Sequence, residues 1–185
     1  MQPANSIVCR GKLLLSLGAL ALLLGVAPGA AADQETRQQQ RASAAQKMFE
    51  QTVKLYHLPS AEAQGAGREK LLAQAVAGYE QLLRKYSDQP RWCAPALRSL
   101  GNIRAAQGRL TDAVKCYTRL EKQFPHGDWE ILQAWKSAAD LLWEAGRPEQ
   151  AKEFYQKIIA RFDQPNAASI VMTIVRGSRS RLAGK

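Results

Sequence analysis

The 185-residue chain has little of what most catalytic or metal sites require. Two histidines and three cysteines are too few for a His/Cys metal cluster or a disulfide framework. No Gly-x-Ser-x-Gly occurs, and Gly65-Ala66-Gly67 lacks the spacing of a phosphate loop. Carboxylates fall singly, so no glycosidase pair can be placed. The expectation is a chain without catalytic residues, metal or cofactor. With 46% hydrophobic and 23% charged residues, neither a disordered chain nor a coiled-coil rod fits the whole.

Long hydrophobic runs are also scarce. There is one, Leu13 to Val26, preceded by Arg10 and Lys12 and followed by Pro28, Gly29 and Ala30-Ala31-Ala32 before Asp33. That is the order of a secretory signal peptide, with cleavage near Ala32. As a helix the run spans about 21 Å, short of the roughly 30 Å hydrocarbon core; an uncleaved anchor is the alternative. Cys9 precedes the run, whereas a lipoprotein cysteine follows it. The expectation is residues 1–32 as signal peptide, 33–41 as polar linker, and 42–185 as one domain, exported to the periplasm or secreted.

Acidic residues are scarce at the end. The formal net charge is +10, and no acid follows Asp163, while Arg176, Arg179, Arg181 and Lys185 do. A solvated helix face explains this; attraction to anionic lipid, acidic glycan or an acidic protein is the alternative. Nucleic acid is not expected, because no aromatic-basic stacking platform is present.

What the chain does have is a repeat with a period of 38. The shift superposes Gly108 on Gly146, Ala113 on Ala151, Tyr117 on Tyr155, Leu120 on Ile158 and Phe124 on Phe162. Shifting back reaches Ala75, Tyr79, Leu82 and Tyr86, and shifting forward reaches Gly177 and Gly184. Each unit reads as two antiparallel helices. One hairpin runs about Trp92–Gln107 and Thr111–Phe124, the next from Asp128, placed as a cap, to Ala145 and on to Phe162. Gly108 and Gly146 occupy the left-handed C-terminal position. Helices are also expected over Ala42–His57, Arg68–Ser87 and Asn166–Ala183, the last with Ile170, Val171, Ile174 and Val175 inward and a basic outer face suited to a cap. The units fall at about 42–87, 92–125 and 129–163, with a half-unit at 166–185. His57 and His126 fall at helix ends, where a histidine serves the helix dipole.

Leu97, Leu100, Gly101, Gly108, Ala113, Tyr117 and Pro125 stand at signature positions of the tetratricopeptide (TPR) repeat, which this segment resembles. Trp135, Ala138, Ala139, Gly146, Ala151 and Tyr155 repeat the pattern. The resemblance covers roughly residues 68–185 and extends to TPR proteins of the bacterial envelope, Tol–Pal-associated and outer-membrane assembly proteins among them. It implies an all-α, TPR-like solenoid of helix hairpins with a C-terminal capping helix. The family repeat is 34 residues; the four extra residues lengthen the helices or their connection.

In that geometry Cys93 lies far from the turn near Arg109 and Cys116 close to it. The offset is about 13 Å along the axes, beyond the roughly 7 Å a disulfide allows. Two free thiols are expected.

The resemblance also implies that the first helix of each unit lines a concave surface. The candidate partner-binding residues are Arg98, Asn102, Gln133, Lys136, Asp140 and Trp143, with Ala105 beside them. Trp129, Lys136, Asp140 and Trp143 recur at whole helical turns, while Trp135 belongs to the packed face. A rigid aromatic beside cations suits a peptide and its carboxylate. Arg98 and Asn102 partly resemble a carboxylate clamp, although the clamp has Lys at the first position and Ser137 stands where a second Asn is expected. The expected function is a non-enzymatic periplasmic scaffold for another envelope protein or peptide. The alternatives are a structural subunit docking or self-associating through the N-terminal or last helix, and a cell-wall or anionic-lipid binder.

Overall fold

Between Gly29 and Pro59 the chain has no glycine or proline and is rich in Ala, Gln, Arg and Glu, residues that lose little on entering a helix. It forms α1, Pro28–Thr52. The computed structural model describes residues 28–184, so the charged and apolar parts of the expected leader lie outside the described residues. Residues 33–41, expected as a polar linker, are helical within α1, because polarity alone does not break a helix. The chain divides into two units, Met1–Gln40 and Arg41–Lys185. The described part of the first is the opening half of α1; all that follows concerns the second.

α1 ends in one π turn, Val53–His57, where Leu58 N–H reaches the Val53 carbonyl at 2.9 Å. Pro59–Ala61 adds a 3-10 turn. The remaining helices are α2 (Gly65–Lys85), α3 (Pro90–Ala106), α4 (Leu110–Gln123), α5 (Asp128–Glu144), α6 (Pro148–Phe162) and α7 (Ser169–Leu182). No strand occurs among the described residues. α3 packs on α4, α5 on α6, and α7 on α6, while α3 also touches α5. The fold is an all-α, TPR-like solenoid with α7 as its last helix.

The 38-residue period is written into the backbone. Gly108, Gly146 and Gly184 take φ of 72°, 71° and 72°, a region that costs glycine nothing. At the first two, the next residue's N–H returns to an earlier carbonyl: Arg109 to Arg104 and Arg147 to Leu142, both at 2.9 Å. This satisfies otherwise orphaned carbonyls and reverses the chain. Pro90 and Pro148 open their helices where no N–H partner is needed.

The core repeats in step. Ala75, Ala113 and Ala151 are fully buried, and so are Leu82, Leu120 and Ile158. Tyr79, Tyr117 and Tyr155 stand at the third recurring position, all buried. Burial of each Leu or Ile contributes about 1.5–3 kcal/mol. Gly101 lets the helices close, because a Cβ there would collide with the Tyr117 ring. Trp135 is core, as its stripe implies.

Two local expectations are corrected. Asp128 does not cap α5; it is the first helical residue, Gly127 precedes it, and its carboxylate accepts from Arg161 at 2.6 Å. The ion pair with the neighbouring helix displaces the local bond. Ile170 is not inward but 54% exposed, since the two apolar residues Ile174 and Val175 fill the interface of this last helix. His57 stands in the last turn of its helical segment, as the sequence places it, and its Nδ1 also meets the Tyr79 hydroxyl at 2.7 Å.

Cys93 and Cys116 are free thiols. Cys93 Sγ–H donates to the Tyr86 carbonyl at 3.0 Å. Burial pushes its pKa up to about 11, and burial also raises that of Cys116, so neither is poised as a thiolate.

Candidate functional site

The first helices of the hairpins, α3 and α5, carry every candidate residue, and the repeat sets equivalent positions on each. Arg98 and Lys136 are one period apart, as are Asn102 and Asp140. One turn on, the series runs Ala105, Trp143, Arg181. A small residue, an aromatic and a cation thus occupy one structural position on α3, α5 and α7.

Two clusters result. In the first, Arg98 Nε donates to Glu130 Oε2 of α5 at 2.5 Å, with both side chains largely covered. Asn102 Oδ1 accepts the Tyr117 O–H at 2.7 Å. Burial pushes Tyr117 up to about 12, so the phenol stays a donor. Arg98 already holds a carboxylate of its own chain, so the clamp geometry implied by the sequence is filled from within.

In the second cluster, Lys136 Nζ donates to Asp140 Oδ2 at 2.5 Å, and Asp140 Oδ1 accepts the Tyr155 O–H at 2.9 Å. Burial, then the bond to Asp140, pushes Tyr155 up to about 12. The Trp143 ring lies 6.3 Å from that of Tyr155 at 61°. The Arg181 guanidinium carbon sits 5.3 Å from the Trp143 centroid, within cation–π range. Gln133 is half-buried one turn before Lys136.

A cleft of about 310 Å³ opens between α5 and α7 beside this cluster, lined by Lys136, Asp140, Glu144, Tyr155, Gly177 and Arg181 among others. The structure thus brings Lys136 and Asp140 to one cavity, keeps Trp143 outside its lining but against Arg181 and Tyr155, which line it, and leaves Arg98 and Asn102 in a separate cluster. Sequence reasoning missed Glu144, Tyr155, Gly177 and Arg181. The 38-residue period held the signal for Arg181, which falls in step with Trp143. Lys136 is neutralised by Asp140, whereas Arg181 makes no ion pair among the described residues. The cleft therefore offers a cation resting on an aromatic, a hydroxyl and carboxylates, which suits polar peptide contacts.

Among the described residues no group of three His, Cys, Asp or Glu side chains could hold a metal ion, and no helix is long and apolar enough to cross a membrane.

Paired helices with recurring tyrosines, alanines and left-handed glycines define the class, a helical-hairpin repeat protein. Within it, residues 96–127 and 137–164 match the tetratricopeptide repeat family. The first segment takes in most of α3 and all of α4; the second takes in the C-terminal half of α5 and all of α6. No curated protein matches the chain.

Proposed function

We propose that this protein is an exported, non-enzymatic interaction scaffold that holds a peptide or a segment of another envelope protein in the cleft between α5 and α7. The observation that carries the reading is Arg181, which lines the cleft and is laid on Trp143. TPR repeats bind proteins and peptides, and this cleft supplies an aromatic contact, an unpaired cation and hydrogen-bonding groups within one cavity. Lys136 and Asp140 shape its wall, and the Arg98–Glu130 pair fixes α3 against α5. The leader-like residues 1–32 support export; N-terminal sequencing of the native protein should then begin near Asp33, and retention of residues 1–32 would count against cleavage.

The cleft is tested by panning a displayed peptide library against the protein. Selected peptides should lose binding on Arg181→Glu and on Gly177→Leu, which fills open space at the cleft wall. They should also weaken on Lys136→Glu with Trp143→Ala. Peptides indifferent to all of these would remove the cleft from the account.

A second reading, a structural subunit, is favoured by one observation. Leu55 and Leu58, on the turns after α1, are 53% and 64% exposed. Large apolar side chains there suit docking through the N-terminal hairpin. A concentration-independent monomer in sedimentation would count against self-association.

A further inference from the structure

A second groove lies on the other helices of the hairpins. α4 and α6 leave a cavity of about 700 Å³ between them, lined by Lys115, Arg119, Lys122 and Arg147 with no acidic side chain. Lys115, Arg119 and Lys122 follow one another at intervals of four and three, so they form one row along α4. The row is about 10 Å long, and Arg147 faces it from the start of α6. None of the four makes an ion pair among the described residues. The neighbouring acids are engaged elsewhere: Asp112 holds Arg109 and Glu149 holds Lys152. The α5–α7 cleft, by contrast, has carboxylates among its own lining residues.

Between the basic walls the groove carries an apolar strip among neutral Thr and Gln side chains. Leu110 and Val114 are half-buried, and Leu142 of α5 closes the floor at 2% exposure. The apolar part is recessed, so a flat bilayer would meet the cations and not the floor. The exposed large apolar side chains that could enter a bilayer, Leu55, Leu58, Trp129 and Ile170, are not among the lining residues. A chain that can enter the groove, with carboxylates along its edges and apolar side chains beneath, complements both features.

We propose that the α4–α6 groove binds an acidic amphipathic segment of a partner protein. This surface is separate from the α5–α7 cleft and does not depend on the reading given for it.

The test uses a fluorescein-labelled peptide of Glu and Leu, patterned so that its carboxylates flank an apolar row, and the same peptide with Gln for Glu. Anisotropy at low salt should show saturable binding of the acidic peptide. The Gln peptide should bind at least about tenfold more weakly, as should the acidic peptide to Lys115→Glu/Lys122→Glu and to Arg147→Glu. Raising the salt should weaken binding, because the screening length falls to about 8 Å at physiological strength. These cations make no structural ion pair, so circular dichroism should show the variants folded. Gly177→Leu should leave this binding unchanged while abolishing that of cleft-selected peptides. The proposal is overturned by absent saturable binding up to about 1 mM, a limit near −4 kcal/mol, or by binding indifferent to the charge reversals. Vesicles of phosphatidylglycerol and phosphatidylcholine that bind through the same residues without competition from the peptide would also overturn it, in favour of a membrane. Self-association lost on Lys115→Glu/Lys122→Glu would overturn it in favour of a second copy.

Discussion

Tyr155 donates its phenolic hydrogen to Asp140 at 2.9 Å, and one repeat earlier Tyr117 donates to Asn102 at 2.7 Å. The same tyrosine on the second helix thus ties down the same position on the first. In the earlier repeat the acceptor is a neutral amide. In the later one it is a carboxylate that also holds Lys136 at the cleft wall. Packing and candidate site are linked through these bonds.

Removing one hydroxyl tests that link. Tyr155→Phe and Tyr117→Phe should each lower stability by about 1–2 kcal/mol, as loss of a part-buried hydrogen bond does. Urea melts measure this. Tyr155→Phe should also weaken peptides selected on the cleft, whereas Tyr117→Phe should not.

Two glycines two periods apart should respond in opposite directions. At Gly101 an added methyl meets the buried Tyr117 ring, so Gly101→Ala should cost about 1–3 kcal/mol by overpacking. At Gly177 nothing stands within 4 Å of the added atom. Gly177→Ala should stabilise α7 by about 0.5–1 kcal/mol. Thermal melts of both variants distinguish a tight helix crossing from an open one.

Acid should weaken the first hairpin through His57. Burial, followed by the Arg98 charge, lowers its pKa from the ordinary value. The unfolded chain therefore takes up the proton first as pH falls below about 6.5, and stability declines on the acid side down to the folded pKa. Above that range the imidazole is neutral in both states and this contribution does not vary. Stability measured between pH 5 and 7 should slope less in His57→Leu than in the parent. Equal slopes would contradict this role.

The thiols should react in order of burial. Cys93 is fully buried and its thiol is held up to about 11, so a disulfide-exchange reagent at pH 8 should label the half-buried Cys116 first. Cys93 should be labelled only as the chain unfolds in urea. Simultaneous fast labelling of both would contradict the packing described.

The repeat is legible in the sequence because its constraints are local or strictly periodic. A left-handed glycine, a proline at a helix start and an alanine at a helix crossing each leave few permitted residue types, so Gly108, Pro148 and Ala151 place the hairpins. Residues 33–41 lie within α1, since exposed Gln and Arg are good helix formers. Asp128 reads as a cap in sequence because its ion-pair partner, Arg161, stands 33 positions away. The site is legible only in part. Lys136, Asp140 and Trp143 share a helix, which spacing reveals. Arg98 reads as free because its partner Glu130 lies on another helix. Arg181 escapes notice because its place over Trp143 depends on how α7 packs.

The central claim, that a partner occupies the cleft between α5 and α7, is tested most directly by a photo-crosslinking residue at Gly177 in cells that make the protein. The account predicts one dominant protein crosslinked there, and its loss on Arg181→Glu. Crosslinks that survive Arg181→Glu, or that arise from Leu55 and Leu58 and never from Gly177, would contradict it.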